Sequence, residues 1–176
     1  AGGLPEVARL ADEFGYVFGP YDSYHSIHKP GTENSWETAQ FDQELYDTGA
    51  IIKKDGKPRH GFQKKGYMLS PLVAEPYVHK RVGDLMGRVP FSSWFLDCDG
   101  FGEVFDDYSP AHPATQAEDA AARVKRMEWI SQTYGVAVGT EGVEDGHRPF
   151  DVRGVPAGHE SVAVLRAPDT AGNTAV

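Results

Sequence analysis

The chain has 176 residues, the size of one domain or of part of a larger one. Hydrophobic residues make up 40% of it, enough for a buried core, and 20 glycines and 12 prolines predict long loops. A formal net charge of −9 disfavours nucleic acid and anionic membranes as partners, and the single cysteine excludes an internal disulfide or a multi-cysteine zinc site. No apolar run approaches the roughly 20 residues of a membrane span.

The first third of the chain predicts a helix, a strand and a long functional loop. Apolar spacing in residues 4–12 predicts a short helix. The aromatic and β-branched run at residues 14–19 predicts a buried strand. Residues 20–46 are polar but rich in aromatic and ionisable side chains, among them Trp36, and loops of this length are usually functional or disordered.

The next segment predicts a hairpin and a helix. Asp55-Gly56 lies between residues 50–53 and 58–62, which predicts a small exposed β-hairpin that decorates the fold. A helix of roughly 18 residues is expected to begin at Ser70-Pro71, because proline is favoured in the first helical turn.

The later elements continue the alternation of helices and strands. Residues 91–96 predict a second strand, and residues 136–139 a third. Between them, residues 115–134 predict a helix whose capping box is Thr115 with Glu118. This order predicts an α/β fold with a parallel sheet.

The expected architecture is a partial (β/α)₈ barrel of the TIM type, with about three parallel strands and their helices. A closed eightfold barrel takes about 250 residues, more than this chain has. We assign the partial barrel to residues 1–142 and an irregular C-terminal segment to residues 143–176, in which only residues 161–165 indicate a strand.

The strongest chemical signal is a hydrophobic strand that leads into Asp97 and Asp99. Active sites of α/β folds lie at the carboxyl ends of parallel strands. Glycoside hydrolysis needs one carboxylate at the anomeric carbon and another that donates a proton, and Asp97 and Glu141 follow adjacent predicted strands. Alternatively, these carboxylates cap helices or pair with Arg and Lys.

Other functions compete for the same residues. Asp97-x-Asp99-Gly100 is also how magnesium-dependent phosphatases of the haloacid-dehalogenase type begin, although Phe101 and the mid-chain position count against them. An Asp-x-Asp motif also holds metal-bound nucleotide sugars in glycosyltransferases. A further alternative is a non-catalytic carbohydrate-binding or inactive barrel fragment.

The loop after the first strand offers candidate sugar-binding groups. Asp22 could bond sugar hydroxyls while Tyr21 and Tyr24 stack on apolar sugar faces. His25 and His28 have the i, i+3 spacing of two metal ligands on a helix, but in loop sequence without a third ligand we expect hydrogen bonding or substrate contact rather than zinc.

A second acidic cluster lies in the loop after the second strand. Glu103, Asp106 and Asp107 could bind calcium, with a solvated acidic loop as the alternative. We assign no metal ligand, and the hydrolytic chemistry requires no cofactor.

Several segments together resemble the catalytic barrel of retaining α-N-acetylgalactosaminidases, glycoside hydrolase families 101 and 129, with the second closer. The resemblance covers roughly residues 14–142. Its motifs are Gly19-Pro20-Tyr21-Asp22-Ser23-Tyr24-His25-Ser26-Ile27-His28, Trp94-Phe95-Leu96-Asp97-Cys98-Asp99, Asp106-Asp107-Tyr108 and Gly139-Thr140-Glu141-Gly142.

The resemblance implies a (β/α)₈ barrel that hydrolyses α-linked N-acetylgalactosamine, or a related galactose-type sugar, with retention through a glycosyl-enzyme. It implies Asp97 as nucleophile and Glu141 as acid/base. The expected partners are a carbohydrate or glycopeptide substrate and the remainder of the barrel. The sequence from residue 143 onward does not match the family pattern, which suggests a truncated or frame-disrupted end. The residues expected to contact the substrate are Tyr21, Asp22, Tyr24, His25, His28 and Asp99.

Overall fold

The structure is a computed structural model that describes residues 3–100 and 103–140 and the backbone of residues 163–165. Its α-helices are α1 (Leu4–Glu13), α2 (Gln43–Thr48), α3 (Pro71–Met86) and α4 (Gln116–Tyr134), and two short 3-10 helices span Glu37–Ala39 and Phe62–Lys64. Its strands are β1 (Tyr21–Ser23), β2 (Ser26–Ile27), β3 (Tyr67–Met68), β4 (Ser93–Asp97), β5 (Ala137–Thr140) and β6 (Ala163–Leu165).

The main sheet has the strand order β1-β4-β5-β6. The first three of these strands are parallel, and β6 is antiparallel to β5. Helix α3 lies in the connection from β1 to β4, and α4 in the connection from β4 to β5. The α/β fold and the three-stranded parallel sheet are therefore confirmed, whereas the described residues do not form a closed barrel.

The two faces of the sheet have different environments. Trp94 and Leu96 of β4 are fully buried and belong to the core that includes residues of α3 and α4. Because successive strand residues point to opposite faces, Phe95 and Asp97 lie on the other face. There Tyr21 stacks on Phe95 with a ring-centroid distance of 5.8 Å.

The two long helices form where their sequence signals predict them. Helix α3 follows Ser70 with Pro71 in its first turn. Helix α4 begins with the predicted reciprocal capping box of Thr115 and Glu118, and ends at Gly135, whose φ of 66° is left-handed. These caps satisfy backbone groups that would otherwise lack partners at the helix ends.

The prediction of a buried strand at residues 14–19 is wrong. Phe14, Tyr16 and Val17 are 70%, 71% and 67% exposed. Pairing with β4 begins only at Phe18, whose carbonyl accepts bonds from the backbone of residues 92 and 93. The strand that pairs with β4 is therefore formed by the more polar residues after Phe18. As a result, the side chains of β1 lie beside the carboxyl end of β4.

The segment between β2 and α3 differs from the predicted surface decoration. The turn at Asp55-Gly56 forms, with Gly56 at a φ of 77°. Ile51, however, is 1% exposed and packs with Met68 and Phe105 in a small second core. One arm of the hairpin is therefore buried and its tip is exposed.

Helix α2 begins within residues 20–46, the segment predicted to be a long loop, and extends two residues beyond it. Asp42 is its N-cap, and one carboxylate oxygen accepts a bond from Leu45 N at 2.8 Å. Leu45 is buried, so this short helix is held by one cap and one apolar anchor. In the part of the chain that the structure describes, no helix combines the length and apolar character of a membrane span.

The close approach of Gly19 to β4 provides a test of this packing. A Cβ at residue 19 would overlap the Ser93 carbonyl, which pairing in the sheet holds in place. We expect Gly19→Ala to lower the free energy of unfolding by about 2–3 kcal/mol in urea titrations. Gly83→Ala in α3, where the nearest atom is 3.5 Å away, is the control and should be neutral or stabilising. Equal effects of the two changes would contradict the close packing.

Candidate functional site

A cleft of about 270 Å³ lies at the carboxyl ends of β1 and β4. Its polar lining includes Ser23, Ser26, His25 and Asp97. The two serines are 8% and 7% exposed, so they form its floor. The predicted site residues Asp97, Tyr21 and His25 are thus brought together in one concave site.

Asp97 is the last residue of β4 and, among the described residues that line this cleft, the one with a carboxylate. Its register partner on β1 is Ser23, whose hydroxyl donates to Asp97 Oδ2 at 3.2 Å. The neighbouring Cys98 thiol donates to Asp97 Oδ1 at 3.3 Å. Parallel pairing of β1 with β4 therefore places a hydrogen-bond donor directly beside the carboxylate.

The turn after this strand, residues 98–100, is held at several points. Cys98 has a φ of 61°, a left-handed conformation that is uncommon for any residue except glycine. Arg123 of α4 donates to the Cys98 carbonyl at 3.4 Å. Gly100 N donates to Thr140 Oγ1 at 2.8 Å, which links the end of β4 to the end of β5.

Asp99 lies away from the cleft, in a buried ion pair with Arg126 of α4. Arg126 Nη1 lies 3.0 and 3.1 Å from the two carboxylate oxygens of Asp99, which is 5% exposed. Burial raises the pKa of Asp99, while Arg126 and Arg123 oppose that rise. A magnesium-dependent phosphatase needs both Asp97 and Asp99 near one metal ion, and the structure separates them.

Asp22 and Tyr24 also lie beneath the cleft, on the side of the helices. Asp22 is 2% exposed and pairs with Arg81 of α3 at 2.8 Å. The Tyr24 ring contacts the guanidinium groups of Arg81 and Arg126, at 5.1 and 4.9 Å from its centroid. Burial raises the pKa of Tyr24 far above its ordinary value. Neither side chain lines the cleft, and their contact with substrate stays a prediction.

The two predicted histidines have separate positions. His25 lines the cleft, and burial, with a smaller contribution from Arg123, lowers its pKa to about 4, so that it is neutral at neutral pH. His28 is 3% exposed, and its Nδ1 lies 2.6 Å from Ser35 Oγ. Its ring packs on Trp36 with a centroid distance of 5.1 Å. His28 therefore supports the cleft wall rather than lining the cleft itself.

Aromatic side chains form the outer wall of the cleft. Trp36 and Phe62 are 40% and 61% exposed, with ring centroids 6.0 Å apart. Trp36 stood out in the sequence as an aromatic residue in a long polar segment. Phe62, together with Ser23 and Ser26, was not among the predicted site residues, because no local pattern shows which loop residues fold over a strand end.

Protein groups already bind two acidic side chains of the second loop, Asp106 and Asp107. Asp107 Oδ1 accepts bonds from the backbone of residues 52 and 109, and Asp107 Oδ2 lies 2.8 Å from His112 Nδ1. Asp106 accepts a bond from Gln116 N at 3.1 Å. Within residues 3–100 and 103–140, no group of three or more His, Cys, Asp or Glu is arranged to hold a metal ion. Calcium binding at this loop stays a prediction.

The predicted acid/base residue, Glu141, lies outside the described residues. It directly follows Thr140, the last residue of β5, whose register partner is Leu96 of β4. The predicted C-terminal segment 143–176 also lies outside the described residues, except for the backbone of β6, which confirms the strand indicated there.

Comparison with known proteins identifies one family. The family described as "Glycosyl hydrolases related to GH101 family, GH129" matches residues 2–149 of the chain. A search of curated proteins found no match.

Solved structures show the same fold. The α-N-acetylgalactosaminidase NagBb of Bifidobacterium bifidum, in its GalNAc complex, matches with 22% identity and a TM-score of 0.63, over 80% of this chain and 22% of that one. Its ligand-free form matches with 26% identity and a TM-score of 0.61, over 82% and 23%. A variant of the GH36 α-galactosidase AgaA of Geobacillus stearothermophilus, in complex with stachyose, matches with 14% identity and a TM-score of 0.54, over 82% and 20%. The chain thus spans about a fifth of the length of these proteins.

The bond from Gly100 to Thr140 gives a prediction for the turn after β4. In Thr140→Val the buried Gly100 N–H would lose its acceptor, and we expect the free energy of unfolding to fall by about 1–3 kcal/mol. Thr140→Ser keeps the hydroxyl and should lose distinctly less. Urea unfolding of both variants measures the difference, and equal losses would show that the hydrogen bond does not hold the turn.

The lowered pKa of His25 predicts a pH-dependent stability. Its pKa is about 4 in the folded chain, below the ordinary value, so the unfolded chain binds the proton more readily. The contribution of His25 to the free energy of unfolding is therefore fully present above the ordinary histidine pKa, and it is lost as the pH drops toward 4. Between about pH 7 and about pH 5 this residue should account for a loss of about 2 kcal/mol. Urea unfolding of His25→Gln should show a correspondingly smaller loss; the same pH dependence in both proteins would contradict the assignment.

Proposed function

The chain belongs to glycoside hydrolase family 129, and we propose that it carries the nucleophile of a retaining hydrolase that acts on α-linked N-acetylgalactosamine or a related galactose-type sugar. The observation that supports this most directly is the position of Asp97. Its carboxylate lines a cleft at the end of a parallel strand, and a register partner on β1 bonds to it there. Retaining glycosidases need such a fixed carboxylate beside the anomeric carbon.

In the first step, an ionised Asp97 oxygen attacks the anomeric carbon as the bond to the aglycone oxygen breaks. Glu141 donates its proton to that departing oxygen. In the second step, Glu141 takes a proton from water, the water oxygen bonds to the anomeric carbon, and the bond to Asp97 breaks. Two inversions give net retention, and both carboxyl groups return to their starting protonation states.

Of the other predicted residues, some line the cleft and would contact the sugar, whereas others are buried beneath it. Tyr21 is 57% exposed and stacked on Phe95, so its ring can pack against the apolar face of the sugar. Neutral His25 can exchange hydrogen bonds with the sugar without adding charge beside Asp97. The deeper residues Asp22, Tyr24, His28 and Asp99 would fix the strand ends and the cleft wall, and their contact with the substrate stays a prediction.

We propose that the remainder of a barrel is the structural partner of this chain. Related structures are about five times longer than the part they share with it. Helix α1 exposes Leu4, Val7 and Leu10, and the aromatic residues that follow it are also exposed, close to the edge strand β1. Apolar surface beside an open sheet edge is typical of a region that further elements cover.

Substitution of the nucleophile provides the decisive test. We expect Asp97→Asn to lower the hydrolysis of 4-nitrophenyl α-N-acetylgalactosaminide at least about 1,000-fold, because no other group forms the covalent intermediate. Asp84→Asn, the same chemical change at an exposed site on α3, is the control and should leave the rate unchanged. Azide added to Asp97→Gly should restore turnover with a β-glycosyl azide as product, since azide attacks from the side of the missing carboxylate.

The same experiments distinguish the hydrolase from a fragment that binds carbohydrate without cleaving it. Sugar binding without turnover in the unsubstituted chain would favour a non-catalytic carbohydrate-binding fragment. Full activity in Asp97→Asn would exclude Asp97 as the nucleophile. An α-configured first product, observed by NMR, would support retention, and a β-configured one would contradict it.

A further inference from the structure

One short segment of this acidic chain is strongly basic. Residues 53–65 contain six Lys or Arg residues and a single Asp, although the whole chain has a formal net charge of −9. Lys54, Lys57, Lys64 and Lys65 of this segment are exposed. Such a concentration of one charge creates a local positive potential against the negative background of the protein.

The end of this basic segment lies at the cleft. Phe62 lines the cleft beside Trp36. The Lys65 ammonium lies over the Trp36 ring, 4.8 Å from its centroid, so its charge is held at the cleft wall by a cation–π contact. Lys65 also contributes to the lowered pKa of the neighbouring His28.

The backbone that presents Phe62 is strained. Gln63 and Lys64 have φ values of 53° and 60°, a left-handed conformation that is uncommon for residues other than glycine. A Cβ at residue 66 would overlap the Ile27 carbonyl, so the loop also approaches β2 closely. Side chains held by strained backbone cluster at ligand-binding sites, where the surrounding structure maintains the strain. Here the strained loop keeps a phenylalanine 61% exposed at a cleft.

We propose that Trp36, Phe62 and Lys65 form an aglycone-binding rim that prefers a leaving group with a carboxylate, such as an acidic glycopeptide. This inference rests on the proposed function, because Asp97 then faces the anomeric carbon and the sugar lies beside it in the cleft. The more exposed rim meets the group beyond the scissile bond. Its rings supply apolar contact, and Lys65 supplies attraction for an anion.

Two matched ligands test the preference. One is N-acetyl-threonine with an α-linked N-acetylgalactosamine and a free carboxylate; the other is its neutral methylamide. Their affinities for the Asp97→Asn chain, which should not cleave them, are measured by calorimetry. We expect the carboxylate ligand to bind about threefold more tightly at about 0.1 M salt, and the difference to vanish at about 1 M, where the Debye length falls to about 3 Å.

Two substitutions in that background assign the effect to the rim. Lys65→Gln should remove the preference for the carboxylate, whereas Lys80→Gln, at a 76% exposed lysine on α3, should retain it. Phe62→Ala should weaken both threonine ligands roughly fivefold by loss of apolar contact, and weaken free N-acetylgalactosamine, which lacks the aglycone, distinctly less.

The inference and the proposed function fail in different ways. Equal affinities for the two threonine ligands, or a preference that survives Lys65→Gln, would overturn the rim while free N-acetylgalactosamine still binds. If the unsubstituted chain bound neither the threonine ligands nor free N-acetylgalactosamine, that result would contradict the proposed function and the inference that rests on it.

Discussion

The cleft depends on the turn at residues 98–100, which fixes the end of β4. Arg123 bonds the Cys98 carbonyl, Arg126 pairs with Asp99, and Thr140 accepts the bond from Gly100 N. Both arginines belong to α4, which packs on the far side of the sheet from the cleft. The contacts of α4 with residues 98 and 99 therefore help to fix Asp97, the residue that precedes the turn.

Buried charge organises the same region. The pairs Asp22–Arg81 and Asp99–Arg126 connect the ends of β1 and β4 to α3 and α4, with the Tyr24 ring in contact with both arginines. Desolvation largely offsets the attraction within a buried ion pair, so such pairs add little net stability. Removal of one partner, however, leaves an unpaired buried charge. The network therefore disfavours other arrangements of the helices relative to the strand ends.

The contrast between Asp97 and Asp99 shows how far the sequence predicts the site. The apolar strand, its carboxyl-terminal aspartate and the flanking helices follow from patterns and caps that act over a few residues. Strict alternation would place Asp97 and Asp99 on the same face of the sheet. The left-handed Cys98 ends the strand and directs Asp99 to Arg126 instead. Cysteine carries no sequence signal for this conformation, since glycine, asparagine and aspartate are the residues that favour it.

The position of β1 could not be predicted for a related reason. Its apolar run at residues 14–17 is the stronger strand signal, yet pairing with β4 begins after it. Strand location here is decided by a partner 74 residues away in sequence: Ser23 bonds Asp97, and Phe18 bonds Ser92. Local propensity does not contain that register.

The segment between β1 and α3 supplies residues of the cleft wall, whereas the proposed nucleophile, Asp97, lies on β4. The antiparallel pairing of β2 with β3 joins the two ends of this segment, Ser26 to Met68 and Ile27 to Tyr67. That pairing holds the intervening residues, including Trp36 and Phe62, at the strand ends where the cleft lies. Asp97 and its supporting arginines lie outside this segment, on β4 and α4. Substitutions of Trp36 or Phe62 can therefore change what the cleft wall contacts without removing the bonds that Ser23 and Cys98 donate to the carboxylate.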